Sequence, residues 1–209
     1  TDKDHYNDFY EFDPSTESWK QISDFPGIGR HSAVAFSSQS LGYVGTGHVG
    51  VDSPDDSTDK IDDFWSYDPN TDTWNEIEKY PSRVSSASGV TQNTVGFVID
   101  QTQSYSWIDD SWFKQFNTSR DEIYKIAFAI GETLFYGFGN FGDEDGSQYI
   151  SDYPANNVYN AGYNNRRWAA SVFVIDEKAY IIGGATADPI FRSRNDILVF
   201  DPLLFIDPC

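Results

Sequence analysis

At 209 residues the chain has room for one large core or two small ones, and 16 Phe, 13 Tyr, 6 Trp, 16 Gly and 9 Pro with no Met suit short strands joined by turns rather than long helices. A net charge of −19 disfavours nucleic acid as a partner, because phosphate binding needs clustered cations. The one cysteine, Cys209, excludes an internal disulfide and a Cys-x-x-Cys metal or redox site, and apolar runs such as Ile126 to Ile130 are too short to cross a bilayer.

In chain order, the first element is the phrase Asn7 to Trp19, NDFYEFDPSTESW, which returns 55 residues later as Asp62 to Trp74, DDFWSYDPNTDTW. Six of the thirteen positions are identical: Asp8/Asp63, Phe9/Phe64, Asp13/Asp68, Pro14/Pro69, Thr16/Thr71 and Trp19/Trp74. Between the two copies lie Arg30 to Phe36 and then Leu41 to Gly47, which have counterparts in Arg167 to Phe173 and Ala179 to Gly184. Arg30 to Tyr43 and Arg167 to Tyr180 are both 13 residues apart. Weaker copies occupy the middle, at Arg83 to Ile99 and Tyr124 to Gly139, and a third copy of the opening phrase begins at Asn195. With Tyr43, Phe97, Phe135 and Tyr180 as equivalents, the steps are 54, 38 and 45 residues. Such a period means a solenoid, propeller or array. Each unit reads as four short strands, and four antiparallel strands per repeat make a propeller blade.

The Gly-Gly-like pair after an aromatic, the Asp-Pro phrase and the Trp at fixed distance together resemble the kelch repeat. The resemblance covers nearly the whole chain, is sharpest in residues 7–77 and 166–202, and extends to kelch proteins of bacterial cell envelopes. It implies an all-β, kelch-type β-propeller of four-stranded antiparallel blades, incomplete at about four and a half blades. The divisions would be 8–22 as a half blade, then blades at 30–77, 82–117, 122–163 and 166–207, with Leu203 to Ile206 as a last outer strand. At least half a blade is expected upstream of Thr1, because an open arc leaves exposed edges. Within the motif, Gly47 and Gly184 read as positions of close strand approach, Asp-Pro as a turn, and Trp19 and Trp74 as packing between blades.

Candidate chemistry therefore lies between the copies. Arginines stand before the first strands, at Arg30, Arg83, Arg166 and Arg167, accompanied by His31 and Trp168, and can hold a carboxylate bidentately. The alternative is that they pair with acids of neighbouring blades or with loop carbonyls. Asp143 and Asp145 resemble a fragment of a calcium loop, without its distal bidentate Glu. Solvated acidic loops explain them equally, as they do the stretch from Asp52 to Asp59. Otherwise no cofactor is implied. His5, His31 and His48 are scattered through the sequence with no metal-ligand spacing. The kelch relative galactose oxidase needs a Tyr–Cys crosslink, which a terminal Cys209 does not support. Tyr105, Trp107, Trp112 and Tyr163 suit a stacking platform or inter-blade packing alike. Asn117-Thr-Ser119 fits a glycosylation sequon, and Asp56-Ser-Thr58 a short O-glycosylation signal.

Two functions follow from the resemblance. The first is a non-catalytic scaffold of the bacterial periplasm, outer membrane or cell surface, binding a protein partner such as an outer-membrane complex, or a glycan. The second is an enzyme acting on acidic sugars, similar to the kelch-type sialic acid mutarotases, with Arg30, Arg83 or Arg167 on the sugar carboxylate and His31 or a nearby acid moving the proton. Convergence of Arg30, His31, Arg83 and Arg167 on one pocket would favour the second; their dispersal into salt bridges would favour the first.

Overall fold

A computed structural model describes residues 5–50, 59–118, 122–140, 146–186 and 192–204. Asp143, Asp145, all of the acidic stretch Asp52 to Asp59 except Asp59 itself, and Cys209 lie outside the described residues.

Nineteen strands are present among the described residues. β1 (Phe9–Asp13) and β2 (Ser18–Ile22) form a two-stranded sheet. β3 (Val34–Ser38), β4 (Leu41–Gly45), β5 (Phe64–Asp68) and β6 (Thr73–Ile77) form the first four-stranded blade in sequential order. The second blade is β7 (Ser88–Gln92), β8 (Val95–Ile99), β9 (Gln103–Ile108) and β10 (Ser111–Asn117), and the third is β11 (Ile126–Ile130), β12 (Thr133–Gly137), β13 (Tyr149–Tyr153) and β14 (Val158–Asn160). The fourth pairs β15 (Ser171–Ile175), β16 (Lys178–Ile182) and β19 (Ile197–Phe200), with a small hairpin of β17 (Ala185–Thr186) and β18 (Arg192–Ser193) between the last two. Every pairing is antiparallel.

Local sequence explains these elements. In β3, Val34, Phe36 and Ser38 point inward and Ala35 and Ser37 outward, the period-2 pattern of a strand. Three hairpins turn on adjacent left-handed residues, Gln39–Ser40, Asp109–Asp110 and Asp176–Glu177, the backbone that matches strand twist in two-residue loops. The Asp-Pro phrase makes the same Asx turn each time: Ser15 N–H donates to Asp13 Oδ1 and Asn70 N–H to Asp68 Oδ1, both at 2.8 Å, and Leu203 N–H to Asp201 Oδ1 at 3.0 Å. After that third turn Leu203 and Leu204 form no strand, and the rest of the expected outer strand lies outside the described residues.

The inner strands β3, β7, β11 and β15 touch one another consecutively. Just before each, one residue at the same register is left-handed: Ser32, Ser86, Tyr124 and Ala169, with φ of 54°, 59°, 55° and 51°. These four are strung together around the axis. Ser86 N–H donates to Ser32 O at 3.0 Å, Tyr124 N–H to Ser86 O at 3.2 Å, and Ala169 N–H to Tyr124 O at 3.1 Å. Blades are close-packed here, and a Cβ at Gly96 would lie 2.0 Å from Phe36 Cε2 of the preceding blade. Gly47 and Gly184, at φ 106° and 91°, occupy equivalent backbone positions that a side chain rarely adopts. The β1–β2 sheet does not pair with the β15–β16–β19 sheet, so among the described residues the blades form an open arc.

Candidate functional site

In an antiparallel blade the entry to the first strand and the connection between the second and third strands lie at the same end. Arg30, Arg83, Arg166 and Arg167 therefore share one face of the arc, but among the described residues their side chains go to separate partners. The expected convergence of Arg30, His31, Arg83 and Arg167 does not occur.

Arg30 is buried and committed to its own blade. Its Nη1 and Nη2 fork onto Asp63 at 2.5 and 2.8 Å, Nη1 also donates to Thr46 O at 3.1 Å, and Nε donates to Ile28 O at 2.9 Å. Arg167 repeats the pattern: Nη2 to Asp196 Oδ2 at 3.0 Å, Nη1 to Gly183 O at 3.3 Å, Nε to Asn165 O at 3.1 Å. In both, the arginine ties the entry of the first strand to the carbonyl 16 residues on and to the aspartate just before the third strand. These are blade latches. Removing Asp63 would strand the buried Arg30 charge away from water, and removing Asp196 would do the same to Arg167, which is why each pair holds its loop geometry. Burial pushes the Asp63 carboxyl up, but hydrogen bonds from Arg30 and Trp65 outweigh it and leave it below its ordinary value.

The other expected residues disperse. Arg83 is exposed, 3.9 Å from Asp62. His31 is sandwiched between His5, at 5.3 Å between centroids, and His48, at 5.0 Å, so the chain's three histidines are brought together although their sequence positions gave no sign of it. Their rings face one another rather than converging their nitrogens, and among the described residues no group of His, Cys, Asp and Glu is placed to hold a metal ion. Trp168 packs on Tyr124 at 5.4 Å. Trp107 and Trp112 are inter-blade packing residues, against Tyr43 and Phe36 respectively.

Arg166 lines a cavity of size suited to a sugar. This cavity, of about 400 Å³, sits on the loop face of the fourth blade between the entry to β15 and the β16–β19 connection. Arg166, Arg192 and Arg194 line it, with Tyr163, Thr186 and Asp196. The Arg166 guanidinium lies 3.5 Å from the centroid of the Tyr163 ring, a cation–π contact that fixes both. Arg194 forks onto Asp196 through Nε at 3.0 Å and Nη2 at 2.9 Å. Its hydrogen bonds, then the charge of Arg167, hold the Asp196 carboxyl far below the usual carboxylate range, and Arg194 is raised in return. Arg192 is exposed on β18. Three guanidinium groups around one carboxylate make this cavity anion-seeking in a chain of net charge −19.

Sequence reasoning found Arg166 and missed Arg192 and Arg194. The signal was present in Arg192-Ser-Arg194-Asn-Asp196, two of the chain's 14 basic residues within three positions, but it lies in the variable connection before the third copy of the repeat phrase.

The fold defines a β-propeller, with radially arranged antiparallel blades whose inner strands line an axis and whose loops carry the cavity. No family model matches the chain. The solved structure titled "Structure of YjhT" superimposes with a TM-score of 0.79 at 17% identity, over 94% of this chain and 73% of that one. A curated N-acetylneuraminate epimerase of Yersinia enterocolitica is 36% identical over 66 residues, 31% of this chain; the match spans only 17% of that relative's length. The propeller is of the kelch-repeat type. The expectation of a non-catalytic scaffold is corrected by these comparisons, since the curated relative bears the name of an enzyme.

Proposed function

We propose that this chain belongs to a propeller enzyme acting on acidic sugars, and that the arginine cavity of the fourth blade receives the sugar carboxylate. The observation that carries this reading is the cavity itself, with three guanidinium groups, beside a sequence match to a protein named for its action on N-acetylneuraminate. Arg192, exposed on β18, presents planar donors that match a carboxylate two bonds at a time, and Arg166 adds positive charge beside it. Tyr163 offers an exposed ring for the apolar face of a sugar. Asp196 stays ionised because Arg194 and Arg167 surround it, so it accepts sugar hydroxyls rather than carrying a proton.

Titration calorimetry with N-acetylneuraminate tests this. Binding is expected for the 209-residue chain, weakened about 10- to 100-fold in Arg192→Ala, as the loss of a charge-assisted bidentate contact predicts. Absence of binding, or binding unchanged by both Arg192→Ala and Arg166→Ala, would sink the assignment.

A further inference from the structure

Arg194 holds Asp196 as it would hold the carboxylate of a ligand. Its Nε donates to Oδ1 at 3.0 Å and its Nη2 to Oδ2 at 2.9 Å, the side-on fork that a guanidinium makes with a free carboxylate. The edge of Arg194 that suits an acidic sugar is therefore occupied by a carboxylate two residues along its own chain. A ligand that takes this edge must displace Asp196 from it.

Asp196 can release Arg194 without losing its charge partner. Arg167 is fully buried, donates Nη2 to Asp196 Oδ2, and is held besides by Gly183 O and Asn165 O, so it stays in place when Arg194 leaves. The Arg194 side chain is 20% exposed and lines the cavity. The repeat-equivalent Asp63 has no such freedom: among the described residues its guanidinium bonds come from Arg30 only, and that side chain is 4% exposed.

Release has one consequence for the chemistry of the ligand. Oδ2 keeps Arg167, but Oδ1 loses the Nε donor. An ionised oxygen deprived of its donor is unfavourable, so the exchange balances only for a ligand that brings a donor as well as a carboxylate. The two vacated groups were bonded to each other, and the ligand's two groups must therefore be adjacent.

We infer that the Arg194–Asp196 fork sets the ligand class of this cavity, which rests on the acidic-sugar reading and narrows it: the fork opens for acids with a hydroxyl on the carboxylate-bearing carbon. The ligand carboxylate is shared between Arg192 and Arg194, as that of Asp196 is now shared between Arg167 and Arg194, and the hydroxyl donates to Asp196 Oδ1. Free N-acetylneuraminate carries both groups on its anomeric carbon. Its methyl glycoside has a methoxy group there and no proton to donate, and hexuronates have a ring oxygen on the corresponding carbon and no hydroxyl.

Titration calorimetry of the 209-residue chain with N-acetylneuraminate and with its methyl β-glycoside tests this. The wild type is expected to prefer the free sugar about 10-fold, less than the usual rejection of a missing hydroxyl because the Asp196 side chain is 41% exposed and water partly replaces the lost donor. Asp196→Asn is expected to bind the two alike, since a neutral amide donates to the methoxy oxygen as readily as it accepts from the hydroxyl. Should that variant fail to fold, Arg194→Ala keeps the Arg167–Asp196 bond and is expected to weaken both ligands about 10-fold while preserving their ratio. Equal affinity of the wild type for the two ligands would overturn the inference and leave the acidic-sugar reading standing, whereas no binding of either would remove both. A preference that persists unchanged in Asp196→Asn, or affinities unchanged in Arg194→Ala, would also overturn it.

Discussion

In the first four-stranded blade Asp63 receives one arginine, Arg30, and the latch is closed on both sides by the chain. In the fourth blade Asp196 receives Arg167 from within and Arg194 from the loop side, and the same position opens into a 400 Å³ cavity. One carboxylate thus serves blade closure alone, while its repeat-equivalent serves closure and also anchors a cationic wall. The difference comes from the connection between the second and third strands, where the fourth blade carries Arg192 on β18 and Arg194 two residues on. The repeat supplies a fixed latch, and loop variation converts a latch into a binding surface, as expected where function sits on loops held by a rigid scaffold.

The two blades also differ in what covers them, and substitution at equivalent positions exposes that most strongly. Phe64→Ala is expected to cost about 3–5 kcal/mol, because a fully buried ring is lost from the packing against Phe36 and Trp112. Ile197→Ala, at an exposed position on β19, is expected to cost no more than about 0.5 kcal/mol. Urea unfolding of both variants measures this, and equal losses would mean that the fourth blade's face is covered in solution.

A smaller contrast is expected between the latches. Arg30→Ala leaves Asp63 without its forked partner and should destabilise by about 3 kcal/mol. Arg167→Ala leaves Arg194 on Asp196, so about half that loss is expected by the same measurement. A larger loss for Arg167→Ala would show that the inner arginine, not the loop arginine, neutralises Asp196.

The smallest effect is the dependence on pH. Asp63 and Asp196 both titrate below the ordinary carboxylate value when folded. Their stabilisation is therefore complete above about pH 4, the unfolded value, and is lost as pH falls through the folded values. Asp196→Asn and Asp63→Asn should each flatten the acid limb of stability against pH, and an unchanged limb in both would dissociate the latches from acid stability.

The repeat was legible because it is local. Asp13-Pro14, Asp68-Pro69 and Asp201-Pro202 make their turns from neighbouring atoms alone, and the alternation in Val34 to Ser38 dictates a strand with one buried face. Blade architecture followed from counting such phrases. Arg30 and Arg167 were visible as a repeated position, but the sequence did not distinguish ligand contact from latch. That choice depends on Asp63 and Asp196, about 30 residues further on, which only strand pairing brings to the guanidinium.

The cavity was less legible still. Arg166, Arg192 and Arg194 meet because the β17–β18 hairpin folds back over the entry to β15, and the stacking of His5, His31 and His48 likewise joins three separate segments. The sequence by itself determined the all-β class, the repeating blade and its turns, since these rest on contacts within a few residues. Tertiary structure alone decided which arginines close blades and which line a cavity, because those outcomes depend on how strands pair within a blade and how successive blades pack against each other around a common axis.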